Sequence, residues 1–148
     1  MIQFILLSIF SINATSIVEV RELFKTAADV EADNDKLFEM TSGYTMDYKP
    51  IIYGYHAAAE MTKANHTLWP LAKLEHFNTG KYKLEKVITK YPEMAELRYI
   101  RYAVQNGSPD FLGYKGKMSE DKKYLEAHMD EQSWPSSFKV TVKAVLEL

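Results

Sequence analysis

The sequence predicts an all-α fold of stacked antiparallel helical hairpins, TPR-like in outline but not a regular repeat array. Three observations carry that reading. Apolar residues recur at helical spacing in nearly every segment. The polar breaks between segments are short, which makes consecutive helices antiparallel neighbours. Six glycines and five prolines in 148 residues are too few for a β-sandwich with its many tight turns. At 47% apolar and 26% charged, the chain has the composition of a globular protein rather than a disordered one. No linker, charge block or low-complexity run divides it, so residues 17–148 read as a single helical domain.

The elements follow in order. Val20, Leu23, Phe24, Ala27 and Val30 form one stripe, which breaks around Asp33-Asn34 because continuing it would bury Asn34 and Asp35. Either residue can cap a second helix carrying Leu37 and Phe38, with Gly43 as its terminator. Pro50 opens a helix to about Ala64, on which Gly54 and Ala58 lack bulk and admit a close neighbour. Trp69-Pro70 opens a short helix with Leu71, Leu74 and Phe77 in line, ending at Asn78-Thr79-Gly80. A separate helix over 81–90 follows, with Leu84, Val87, Ile88 and Tyr91 on one side. Pro92 starts a longer helix through Gln105, stopped by Asn106-Gly107-Ser108-Pro109. Phe111, Leu112 and Tyr114 read as a single inserted turn, and Ser119 as the cap of a helix to about Asp130. The tail from Phe138 fits both a strand and a helix. Helix is the expectation, since a lone strand would have no partner in this chain.

The N-terminus has a different character. Glu19 is the first charged side chain, and a short apolar block from Ile2 to Phe10 gives way to polar residues. Ala14-Thr15-Ser16 places small residues where a signal peptidase reads, so residues 1–16 are expected to be an export signal cut after Ser16. The alternatives are a buried first helix and an uncleaved membrane anchor. The block is short for a span of about 20 residues. Contact with a membrane is expected only if this segment is retained.

Composition also excludes function classes. A formal net charge of −2 offers no basic field for a phosphate backbone, so no nucleic-acid partner is expected. The absence of cysteine removes disulfide scaffolds, thiolate zinc sites and cysteine nucleophiles. No HExxH, G-x-S-x-G or phosphate-binding glycine loop occurs, and no catalytic residue, metal site or cofactor is predicted. Asp29, Glu31, Asp33 and Asp35 lack the EF-hand glycine and terminal glutamate, and read as a helix break with a charged rim. His56, Glu60 and Lys63 share a stripe opposite Gly54 and Ala58 and are expected on a solvated helix surface; His76 is likewise expected to be exposed. The tyrosine-rich stretch around Tyr44, Tyr48, Tyr53 and Tyr55 reads as wedges between helices before it reads as a binding surface.

One stretch points inward with charge. Between Glu96 and Gln105, Met94, Leu97, Ile100 and Val104 span an apolar arc, Arg101 falls inside it, and Arg98 and Gln105 border it. A charge in such an arc must be paired or must snorkel. Asp121, flanking the face of Met118, Leu125 and Met129, is the candidate partner. Arg98, Arg101, Gln105 and Asp121 are therefore the candidate site. They would be either a structural ion-pair network or a small-ligand site, in which paired arginines grip a carboxylate or peptide terminus.

Two resemblances add to this. The run from Phe77 to Pro92, F-N-T-G-K-Y-K-L-E-K-V-I-T-K-Y-P, resembles the helix–turn–helix of a tetratricopeptide repeat, with Gly80 as the turn, Tyr82 as a wedge and Pro92 opening the next unit. More of the chain is similar to a group of small exported bacterial proteins of helical fold with no assigned activity. Tyr53-Gly54-Tyr55 with its alanine run, Lys73-Leu74, Phe77, Gly80, Leu84-Glu85, Pro92, Glu96-Leu97-Arg98, Arg101, Gln105, Pro109-Asp110-Phe111-Leu112 and Asp121 carry that likeness. It implies export and a helical fold. The expected function is binding of a protein or peptide partner, with a ligand site or enzyme at the arginine stripe as the alternative.

Overall fold

A computed structural model describes residues 14–147, and among these it contains seven α-helices and no strand. The all-helical expectation holds, the C-terminal tail included. Most of the expected export segment lies outside the described residues.

Helix α1 (Ile17–Thr26) and helix α2 (Glu31–Thr41) form the first hairpin. The break between them falls at Ala27–Asp29, earlier than the apolar stripe predicts. Thr26 explains the shift: its hydroxyl donates across the turn to the Asp33 carboxylate at 2.6 Å and lies 3.3 Å from the Leu23 carbonyl. Such local bonds offer the backbone an alternative to continuing the helix. Asn34 is therefore neither break nor cap. It is buried inside α2 and donates from Nδ2 to the Ala59 carbonyl at 3.1 Å. Thr15 and Ser16 already belong to this hairpin. The Thr15 amide donates to the Tyr44 hydroxyl at 3.2 Å, its hydroxyl donates to the Met40 carbonyl at 3.0 Å, and Ser16 is the N-cap of α1.

Helix α3 (Pro50–Thr62) is the central element, buried continuously from Gly54 to Met61. A 3-10 turn (Lys63–His66) leads from it to helix α4 (Pro70–Lys90), its antiparallel partner. Here the expected helix–turn–helix gives way to one unbroken 21-residue helix. Gly80 is not a turn residue. A Cβ at position 80 would overlap the Ala57 carbonyl oxygen and Met61 Cγ and come within 2.7 Å of the Met61 amide nitrogen. The glycine lets two backbones touch in mid-helix. Leu71 and Leu74, expected in line with Phe77, instead stand 84% and 48% exposed, while Phe77 is buried.

Helix α5 (Ala95–Gly107) crosses α3 on its other side, where Gly54 admits it; a Cβ there would sit 2.5 Å from Leu97 Cδ2 and 3.3 Å from Ile100 Cδ1. In the connector, Tyr114 inserts against Phe77 whereas Phe111 stays 86% exposed. Helix α6 (Met118–His128) pairs with α5; its N-cap is Lys117, without a side-chain bond, so Ser119 is inside the helix rather than its cap. Helix α7 (Ser136–Leu146) closes the stack, with Phe138 edge-on to Tyr99 at 5.4 Å and to Trp134 at 5.1 Å.

Candidate functional site

The arc on α5 carries Arg101 inward, as its helical position requires, and antiparallel pairing brings α4 and α6 to either side of it. Arg101 Nε donates to Asp121 Oδ2 at 2.7 Å and Nη2 to Oδ1 at 2.7 Å, a bidentate pair. Its Nη1 donates to Glu85 Oε2 on α4 at 2.9 Å. Arg98, a turn earlier, adds Nη1 to Asp121 Oδ1 at 3.1 Å, sends Nε to the Pro92 carbonyl at 2.8 Å, and lies over the Tyr124 ring. The Tyr114 hydroxyl completes the set by donating to Glu85 Oε1 at 2.6 Å.

Burial by itself lowers the Arg101 pKa, yet the hydrogen bonds and attraction from Asp121, with Glu85 behind, outweigh it and hold the guanidinium firmly charged. Burial, followed by the Glu85 carboxylate, pushes the Tyr114 phenol well above its ordinary range. Asp121 is fully buried, and both its oxygens are taken. All three nitrogens of Arg101 are engaged by carboxylates. The arrangement clamps three helices together and leaves no edge of the Arg101 guanidinium facing a ligand. Gln105 is buried on the same helix, its Oε1 without a partner among the described residues.

Arg98, Arg101 and Asp121 thus converge as the sequence pattern predicts, while Glu85 and Tyr114 join them without having been predicted. No local signal marks Glu85; it reaches the network only because α4 runs straight through Gly80. A second buried carboxylate was also missed. Glu96 takes Arg21 Nε at 2.8 Å and Nη2 at 2.7 Å, and the Tyr55 hydroxyl at 2.8 Å. The pattern held its signal: Glu96 sits four residues before Ile100, on the same inward face.

The face of α3 opposite Gly54 is not solvated. His56 and Glu60 are both buried, because α2 and α4 cover that side as α5 covers the other. His56 stacks against Phe38 and meets Thr41 Oγ1 at 3.2 Å, and burial, with Lys83 nearby, lowers its pKa. Glu60 holds His76 Nδ1 at 2.7 Å, so His76 is half-buried rather than exposed. Among the described residues no three His, Asp or Glu side chains converge as a metal site.

Two open surfaces on α4 stand out among the described residues. An open groove of about 660 Å³ runs along the outer face of α4 from Asn78 to Lys90, walled by Met46 and lined by Lys81, Tyr82 and Lys86. At the N-terminal end of the same helix, Leu68, Trp69 and Leu71 are almost wholly exposed. Comparison of this chain with protein-family models, with curated proteins and with solved structures finds no match.

Proposed function

We propose that this chain is an exported helical interaction module that holds an acidic segment of another protein against the outer face of α4. The observation that carries this reading is the charge of the groove. Its lining carries Lys81, Lys86 and Lys90 against one glutamate, and Lys90 is paired with Asp47. That glutamate, Glu85, is committed to Arg101 and Tyr114. Lys81 and Lys86 have no acidic partner among the described residues, and Tyr82 stands between them 66% exposed. An exposed aromatic between unpaired cations suits a segment with both acidic and apolar side chains.

A photo-crosslinking residue in place of Tyr82, introduced in the native host, tests this. The expected result is a discrete adduct whose crosslinked segment is acidic by mass spectrometry. The adduct should be lost in Lys81→Glu/Lys86→Glu without loss of thermal stability. No adduct beyond that from a probe at Thr141, or a basic crosslinked segment, would overturn the reading.

Export rests on the uncharged first eighteen residues and the small residues at 14–16. Ala14 and Ser16 are the small residues at the two positions a signal peptidase reads for a cut after Ser16, which leaves α1 beginning at Ile17. Intact mass of the protein from its host should therefore lack residues 1–16. A full-length mass in the cytosolic fraction would contradict export. Among the described residues no helix is long and apolar enough to cross a membrane.

A further inference from the structure

Lys81 and Lys86, the unpaired cations of the α4 groove among the described residues, rest on aromatic rings. Lys81 Nζ stands 4.9 Å from the centre of the Tyr114 ring and Lys86 Nζ 5.7 Å from that of Tyr82. A ring face positions an ammonium without neutralising it. Five residues of helix separate the two lysines by about 140° around α4 and about 7.5 Å along it. Tyr82, Glu85 and Thr89 line the groove within that arc, so the lysines border it on opposite sides. Glu85 adds no free charge between them, since Arg101 and Tyr114 hold its two oxygens. The floor offers no backbone to pair with. Helix α4 is continuous, its amides and carbonyls bond one another, and no strand occurs among the described residues. An extended segment laid there would find no sheet edge and would leave its own covered backbone groups unbonded.

We infer, resting on the reading of this groove as the binding face, that its occupant is an amphipathic α-helix lying along α4. A helix arrives with its backbone already hydrogen-bonded. Its apolar stripe faces Tyr82, Thr89 and Met46, and the bond from Lys90 to Asp47 holds Met46's connector beside α4. Acidic residues on the two borders of that stripe meet Lys81 on one side and Lys86 on the other. A strand sends alternate side chains to opposite faces and presents a single row to the groove, which sets no acids on both flanks of an apolar stripe. From Asn78 to Lys90 the groove runs about 18 Å, the length of about three helical turns.

Photo-crosslinking residues placed separately at Tyr82 and Thr89, in the native host, test the helix. The two positions lie on one side of α4, two turns and about 10.5 Å apart. The partner residues they capture, mapped by mass spectrometry, should lie about seven apart in the partner's sequence if it is helical, and about three apart if it is extended. The captured segment, made as a peptide, should gain helical circular dichroism when the protein is added. Its dissociation constant should rise about fivefold or more in each of Lys81→Glu and Lys86→Glu, with both variants melting as the parent does. A spacing nearer three than seven, a bound peptide that gains no helix, or dependence on only one of the two lysines would overturn the helix and leave the acidic partner standing. Adducts at neither position would remove the binding face and the helix with it.

Discussion

Arg101→Met is expected to destabilise the fold by about 3–5 kcal/mol in chemical denaturation, the range for breaking a buried ion pair by removing one partner. Methionine keeps most of the stem volume, so lost packing contributes little to that figure. The cost comes from Asp121, which is fully buried and loses its bidentate partner. Arg98 still reaches Asp121 Oδ1, which puts the expected value toward the lower end of the range. Glu85 is less exposed to the loss, because a third of its side chain is in water and Tyr114 continues to donate to it. Removing both charges, as Arg101→Met/Asp121→Leu, should recover most of the lost stability, leaving Arg98 with Glu120 and the Pro92 carbonyl. A near-neutral Arg101→Met would mean that the guanidinium only lies along the surface.

Gly80→Ala is the second large effect, and its sign is informative. In the interior of an exposed helix, replacing glycine by alanine stabilises by about 1 kcal/mol. Here the added methyl meets the Ala57 carbonyl and the Met61 amide nitrogen, which are backbone atoms and cannot rotate away. Overpacking of this kind costs about 1–3 kcal/mol and occasionally more. Because α3 must move as a unit, a net destabilisation of about 2 kcal/mol or more is expected. Gly54→Ala should be milder, since its closest neighbour is the end of the Leu97 side chain, which can change rotamer. Thermal unfolding of the two variants measures the difference. A stabilised Gly80→Ala would show that α3 and α4 do not touch there.

Helical periodicity identified the helices but not all their ends. A pattern of apolar residues reports which face is inward, and the inward faces of α5 and α7 were legible for that reason. It does not report how close two backbones come. Gly80 reads equally well as a turn and as a contact point, and only the position of α3 decides between them. Asn34 failed for a related reason: a buried amide looks like a cap until the Ala59 carbonyl that receives it is known. The face of His56 and Glu60 was misjudged because α3 is covered on every side, and no sequence-local rule marks the central helix of a stack.

The site was legible where one helix holds the signal. Arg101 betrays itself by lying inside its own apolar arc, and Asp121 by flanking another. Glu85 and Tyr114 are separated from Arg101 by a helix and a loop, and nothing in their own surroundings singles them out. With Arg101 held by internal carboxylates, the partner proposed above would meet the outer face of α4.

The central claim is that Arg101 and Asp121 act as one internal unit, and a double-mutant cycle in chemical denaturation tests it most directly. Stability is measured for the parent, Arg101→Met, Asp121→Leu and the double variant. A closed network predicts that the double variant is more stable than the sum of the single losses allows, with a coupling energy of about 2 kcal/mol or more. Losses that add to within about 0.5 kcal/mol would show two independent groups. That result would contradict the network and return Arg101 to the list of groups free to bind a ligand.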